Sequence, residues 1–165
     1  MSNLCIIPAR GGSKRIPRKN IKDFLGKPII AYSIEAAHQS NLFDEVMVST
    51  DDEEIAQIAK QYGAKVPFMR SKENANDFVT TVDVLIEVLE NYQEKGITFK
   101  NICCLYPCAP LITAENLNKG YIKLNEGLHD SAVPIVKYSF PVQRAFKTNQ
   151  KKLEYIYPEH EKSRS

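Results

Sequence analysis

Apolar runs and helix-period stretches alternate along this chain. Residues 4–7, Leu-Cys-Ile-Ile, form a run short enough for a buried strand. Pro28 suits a first helical turn, and Ile29, Ile30, Tyr32, Ser33, Ile34, Ala36 and Ala37 predict a largely apolar helix ending near Gln39-Ser40-Asn41. Glu45–Ser49 predicts a second strand. Thr50 and Glu53 have the spacing of a capping box, and Ile55, Ile58, Ala59 and Tyr62 then recur at helical spacing up to Gly63. Residues 64–69 read as a short third strand, which Pro67 confines to an edge. Val79, Val82, Leu85, Ile86, Leu89 and Tyr92 mark an amphipathic helix closed by Lys95-Gly96. Residues 101–106 are apolar enough for a central parallel strand. Thr113 caps a helix running to about Glu126-Gly127, and residues 131–137 predict a fifth strand.

That alternation predicts the α/β class: three layers, a mostly parallel sheet with helices on both faces. Right-handed crossovers would bring the loops at 10–20, 50–51, 70–77 and 106–113 to one edge, facing a common cleft. The tail breaks the alternation. Residues 140–146 and 153–157 flank a polar turn at 148–152 and predict a β-arm, followed by a polar end, PEHEKSRS.

Composition narrows the classes. The 165 residues suffice for one domain with a real core. Twenty-two basic against 20 acidic residues give a net charge of +2, too balanced for a general nucleic-acid binder. No apolar stretch is long enough to span a bilayer, and Met1-Ser2-Asn3 opens no leader pattern, so a cytoplasmic protein without a membrane partner is expected. Cys5, Cys103 and Cys104 lie in strand-like runs, and adjacent strand residues face opposite sides. These cysteines, with Cys108, are expected as buried reduced thiols rather than a zinc site or disulfide. His38, His129 and His160 belong to no metal-spacing motif.

The chemistry concentrates in residues 4–20, LCIIPARGGSKRIPRKN. The strand ends at Pro8-Ala9. Gly11 and Gly12 are expected to adopt backbone conformations that a side chain would forbid. Arg10, Lys14, Arg15, Arg18 and Lys19 surround them, with no carboxylate before Asp23. Ser13 adds a hydroxyl, and Gly11, Gly12 and Ser13 add N–H donors, so the loop suits a polyphosphate. It is neither a Walker A loop nor a dinucleotide fingerprint. The rival reading is a solvated basic loop touching nucleic acid. A single-strand platform would need more aromatic residues among the cations.

IPARGGSKRIPRKN resembles the signature of the acylneuraminate cytidylyltransferases, which make CMP-activated nonulosonic acids from CTP. The resemblance implies a Rossmann-like sheet of the nucleotide-diphospho-sugar transferase type. It implies phosphate contacts from Arg10 and Lys19 as the catalytic cations. It also implies a cradle of Ala9, Gly11, Gly12, Ser13 and Lys14 closed by Asn20. Arg15 and Arg18 are expected to be solvated. A second match is Arg70-Ser71 with Asn76-Asp77 and Thr80-Thr81. There Arg70, Asp77 and Thr80 would line the nucleotide site, with helix capping the rival role for Asp77 and Thr80. The third is Leu105-Tyr106-Pro107-Cys108-Ala109-Pro110-Leu111, similar to a family L-Q-P-T-S-P-L segment that meets nucleotide and sugar.

Tyr106 replaces the glutamine of sialic-acid enzymes, and a Tyr cannot reproduce an amide's paired donor and acceptor. The variant looks like the branch acting on pseudaminic acid, as do residues 140–145, FPVQRA, and the terminal Arg164-Ser165. Tyr106, Cys108, Gln143 and Arg144 would then meet the sugar. The resemblance further implies Mg²⁺ as cofactor, a homodimer, and metal-binding carboxylates beyond Ser165. Residues 1–165 would thus form one nucleotidyltransferase domain, incomplete at its C-terminus, with a β-arm and polar tail from about 138. Asp51, Asp52 and Asp77 are assigned to no metal. The alternatives left open are a non-catalytic nucleotide-binding remnant of that family and a nucleic-acid-binding module.

Overall fold

The computed structural model describes residues 2–127, 129–139, 142–150 and 152–160, the side chain of Arg144 excepted. The resemblances at Phe140-Pro141 and Arg164-Ser165 lie outside the described residues. The chain falls into two units, Met1–Asp130 and Ser131–Ser165.

The first unit is a three-layer α/β structure. Its sheet has three parallel strands, with β1 (Asn3–Pro8) between β4 (Glu45–Ser49) and β5 (Asn101–Cys104). Alternate residues of β1 face opposite layers. Cys5 and Ile7 are buried among Ile30, Ile34 and Ala37 of α1 (Ile29–Gln39) and Ile55 and Ala59 of α2 (Glu53–Gln61). Leu117 of α4 (Ala114–Glu126) packs against the same cluster. Leu4 and Ile6 are buried with Met47, Val88 and Tyr92, the last two from α3 (Thr81–Glu94). Three helices therefore cover one face and α3 covers the other. Tyr92 anchors its side, with its ring edge-on to Phe68 and Phe99 and its hydroxyl donating to Glu45. The strands β2 (Asp23–Phe24) and β3 (Lys27–Pro28) form a small antiparallel pair leading into α1.

Several expectations give way. Residues 101–106 do not form a central strand: β5 pairs only with β1 among the described residues, and Ile102 and Cys104 are exposed. Only Cys5 of the four thiols is buried, because Cys103, Cys104 and Cys108 sit on this edge strand and the loop after it. Residues 64–69 make a single parallel bridge, Met47 to Lys65, since Pro67 cannot continue a ladder. Thr50 does not cap α2. It is buried, its hydroxyl accepts the Asp52 N–H at 3.2 Å, and Asp52 is the cap, accepting from Ile55 N–H at 3.0 Å.

In the second unit, residues 131–137 form no strand, and Val133, Ile135 and Val136 stand exposed. The β-branched Val133, Ile135 and Val136 supply strand propensity, but a strand exists only where a partner takes its backbone groups, and Pro134 removes one donor. A β-arm does form, as a hairpin of β6 (Phe146–Asn149) and β7 (Lys152–Tyr155), but its first strand is displaced from the expected 140–146: Val142–Arg144 is a 3-10 turn, and Thr148 and Asn149, expected in the turn, pair with Leu153 and Lys152.

Candidate functional site

The carboxyl ends of β1, β4 and β5 open on one side of the sheet, where open α/β sheets place their ligands. A cleft of about 880 Å³ lies there. Its walls come from Pro8 and the following loop, from residues 70–84, and from Tyr106-Pro107-Cys108 after β5. Five cations line it, Arg10, Lys14, Arg15, Lys19 and Arg70, against one carboxylate, Asp77. Concentrated in one concavity, that imbalance favours a polyanion.

Asp77 already engages two of the cations. Its Oδ1 is 2.8 Å from Arg10 Nη1, and its Oδ2 pairs with Lys14. Arg10 Nη1 also donates to the Asn76 carbonyl at 2.9 Å. Hydrogen bonding from Lys14, then from Arg10, holds the Asp77 carboxyl below the usual carboxylate range. Lys19 and Arg15 have no carboxylate partner among the described residues.

Arg70 is 8% exposed. Its Nε donates to Ser49 Oγ at 3.0 Å and its Nη2 to the Ser49 carbonyl at 2.6 Å. Burial lowers its pKa, with Asp51 and Glu87 opposing. Nη1 makes no hydrogen bond among the described residues and is not sealed from solvent, which leaves one donor open on the cleft wall. Ser49, at the last position of β4, was not singled out from sequence. Only the fold shows that its oxygens hold the guanidinium.

Asn20 is buried and links two walls. Its Nδ2 donates to the Arg10 carbonyl at 2.9 Å, and its Oδ1 accepts from Cys108 Sγ at 3.3 Å. Burial raises the Cys108 thiol pKa, with Lys19 opposing. Tyr106 is exposed, its hydroxyl 3.3 Å from Thr81 Oγ1 and its carbonyl accepting from Ser33 Oγ at 2.8 Å. Thr80 lines the cleft but its side chain is the α3 cap, in a reciprocal box with Asp83.

The glycine expectation fails in an instructive way. Neither Gly11 nor Gly12 has a positive φ, and neither lines the cleft. Gly11 N–H is taken by Asp51 Oδ1 at 2.8 Å, and Ser13 N–H by the Gly11 carbonyl at 2.9 Å. Gly11 is required for space: a Cβ there would fall 2.6 Å from Asp52 Oδ2. Ala9 sits in the core with its N–H on the Ser49 carbonyl, so its side chain is unavailable to a ligand. Ser13 does line the cleft. Arg18, expected to be free in solvent, keeps a side chain 40% exposed but is ion-paired with Asp52 and Glu54. Gln143 is exposed on the 3-10 turn of the second unit, a turn that ends at Arg144.

A parallel three-layer α/β unit with a cationic cleft at its strand ends is the architecture of a protein that binds a polyanionic ligand such as a nucleotide. The chain belongs to the cytidylyltransferase family, whose model matches residues 4–163. It is 48% identical over its whole length to a pseudaminic acid cytidylyltransferase of Campylobacter jejuni, spanning 72% of that protein. Over 71% of its length it is 42% identical to a CMP-N,N'-diacetyllegionaminic acid synthase of Legionella pneumophila, covering 50% of that protein. A solved CMP:2-keto-3-deoxy-manno-octonic acid synthetase complexed with CTP superposes with a TM-score of 0.64 and 28% identity. That match covers 76% of this chain and 48% of the synthetase. Among the described residues, no helix is long and apolar enough to cross a membrane.

Proposed function

We propose that this chain transfers the cytidylyl group of CTP to a nonulosonic acid, with pseudaminic acid as acceptor, and releases pyrophosphate. One observation carries the reading: five cations face one carboxylate at the strand ends of a cytidylyltransferase-family chain. The acceptor follows from the identity to the Campylobacter protein over the full chain and from Tyr106 on the cleft wall.

In the reaction a sugar hydroxyl attacks the α-phosphorus. The bond from that phosphorus to the bridging oxygen breaks, pyrophosphate leaves with the electron pair, and the hydroxyl proton passes to solvent. Negative charge grows on the leaving oxygens, so fixed cations facing them lower the barrier. Arg10 and Lys19 take that catalytic role, with Lys14 and Ser13 beside them. Arg70 offers its open Nη1 to the nucleotide. Asn20 acts through the Arg10 backbone it holds, and Thr80 through the wall it caps. Tyr106 and Cys108 are the sugar-side candidates on this unit.

Mg²⁺ is the cofactor this chemistry generally takes, neutralising phosphate charge when bound. Among the described residues no three His, Cys, Asp or Glu side chains converge, and Asp77 is held by two cations. The described residues do not fit a protein-held metal. A cytoplasmic homodimer completes the reading. The four free thiols suit a reducing compartment, and exposed Val82 and Ile86 on α3 offer apolar surface to a second copy.

Pyrophosphate release tests the reading, with CTP, UTP and ATP as donors and pseudaminic or N-acetylneuraminic acid as acceptor. Release confined to CTP and faster with pseudaminic acid is expected. Equal rates with all three nucleotides would exclude a cytidylyltransferase. CTP binding without release would leave a nucleotide-binding protein.

A further inference from the structure

Two carboxylates that follow β4 have no place in the cleft chemistry. Asp51 and Asp52 do not line the cleft, yet both grip the cationic loop from behind. Asp51 Oδ1 holds Gly11 N–H at 2.8 Å. Asp52 receives a two-point fork from Arg18, with Nη2 on Oδ1 at 2.9 Å and Nη1 on Oδ2, and Nη2 also reaches Glu54. Gly11 and Arg18 bracket the segment that carries Ser13, Lys14 and Arg15, and Arg18 immediately precedes Lys19.

Arg18 has a left-handed backbone, φ 55°, unfavourable for a residue with a side chain. The fork keeps it there. Asp52 is itself fixed as the cap of α2. Glycine at position 11 lets the loop approach this carboxylate. A planar guanidinium gripping a capped carboxylate at two points sets direction as well as distance.

We infer that Asp52 and Arg18 are positioning residues for triphosphate binding: their fork orients Lys19 and the loop centre toward the phosphates without touching them. The inference rests on the cleft being a triphosphate site.

Calorimetric titration of inorganic tripolyphosphate and, separately, cytidine into wild type, Asp52→Asn, Arg18→Gln, Arg18→Lys and the Asp52→Asn/Arg18→Gln double variant tests it. Asn keeps an oxygen for Ile55 N–H, so the helix cap survives. Each single variant is expected to lose about tenfold in tripolyphosphate affinity with cytidine affinity unchanged. The double variant loses no more than the worse single. Arg18→Lys, which keeps the charge but not the fork, gives no rescue. Unchanged tripolyphosphate affinity in Asp52→Asn overturns the inference, as does an equal loss for both ligands with a lowered Tm. A wild type that binds no tripolyphosphate overturns the phosphate-site reading instead.

Discussion

Arg10 Nη1 and Asp77 Oδ1 lie 2.8 Å apart on the cleft wall, and the same carboxylate also pairs with Lys14. Asp77 thus occupies cations that a polyphosphate would use, and an entering anion must displace it. Asp77→Asn keeps the side chain's shape and removes the competing charge. Its affinity for inorganic tripolyphosphate at pH 7 should rise roughly threefold or more, the scale of an exposed ion pair. Calorimetry checks this. A fall in affinity would mean that Asp77 serves the ligand rather than competing with it.

Arg70 separates charge from geometry. Its fork holds both Ser49 oxygens, while Nη1 makes no hydrogen bond among the described residues and the residue lines the cleft. Arg70→Ala removes two charge-assisted hydrogen bonds to Ser49, whose carbonyl keeps the Ala9 N–H, and should destabilise the fold by about 1–3 kcal/mol. Arg70→Lys keeps a cation but cannot reproduce the fork. It should remain folded, with Tm only slightly lowered, and lose about tenfold or more in CTP affinity. Thermal melts beside CTP titrations separate the two effects, and full CTP affinity in Arg70→Lys would remove Arg70 from the site.

The layers of the fold were legible where a segment carries its own boundaries. Residues 4–7 and Glu45–Ser49 are apolar runs closed by polar residues, and α1 and α3 have helix-period faces, so each element appears where it was expected. Pairing was not legible, because it belongs to two segments at once. An apolar run such as 102–104 reads the same at an edge as at a centre, and 131–137 has the β-branched residues of a strand yet pairs with none of the described residues. The site divides in the same way. The cations of the first loop and Arg70 were visible as residue types. Their partners, Asp77 for Arg10, Ser49 for Arg70 and Asp52 for Arg18, lie 21 to 67 positions away and emerge only from the folded chain.

Lys19 tests the cleft without touching the fold. It is exposed and has no carboxylate partner among the described residues, so removing its charge breaks no internal pair. Lys19→Ala should weaken CTP binding by about 1–3 kcal/mol, the scale of a charge-assisted hydrogen bond, and leave Tm unchanged. A Lys19→Ala protein that binds CTP as well as wild type would place the triphosphate elsewhere, and one that fails to fold would show a structural lysine.

Asp52 ties the loop's support to pH. Hydrogen bonding from Arg18, helped by Ile55 N–H and opposed by burial, holds its carboxyl below the usual range. A depressed carboxyl adds stability wherever the unfolded chain's Asp is also ionised, above about pH 3.9. Below that value the unfolded state binds the proton first, so the added stability falls as pH drops through the folded pKa. Asn cannot follow this titration. Wild type should therefore out-melt Asp52→Asn by a steady margin at neutral pH, and the margin should close below about pH 4. The pair is partly exposed, so the margin corresponds to no more than about 1 kcal/mol. Melts of both proteins from pH 7 down to pH 2 measure it. A margin that persists at the acid end would assign the effect to the α2 cap, which Asn shares imperfectly, rather than to the charge on Arg18.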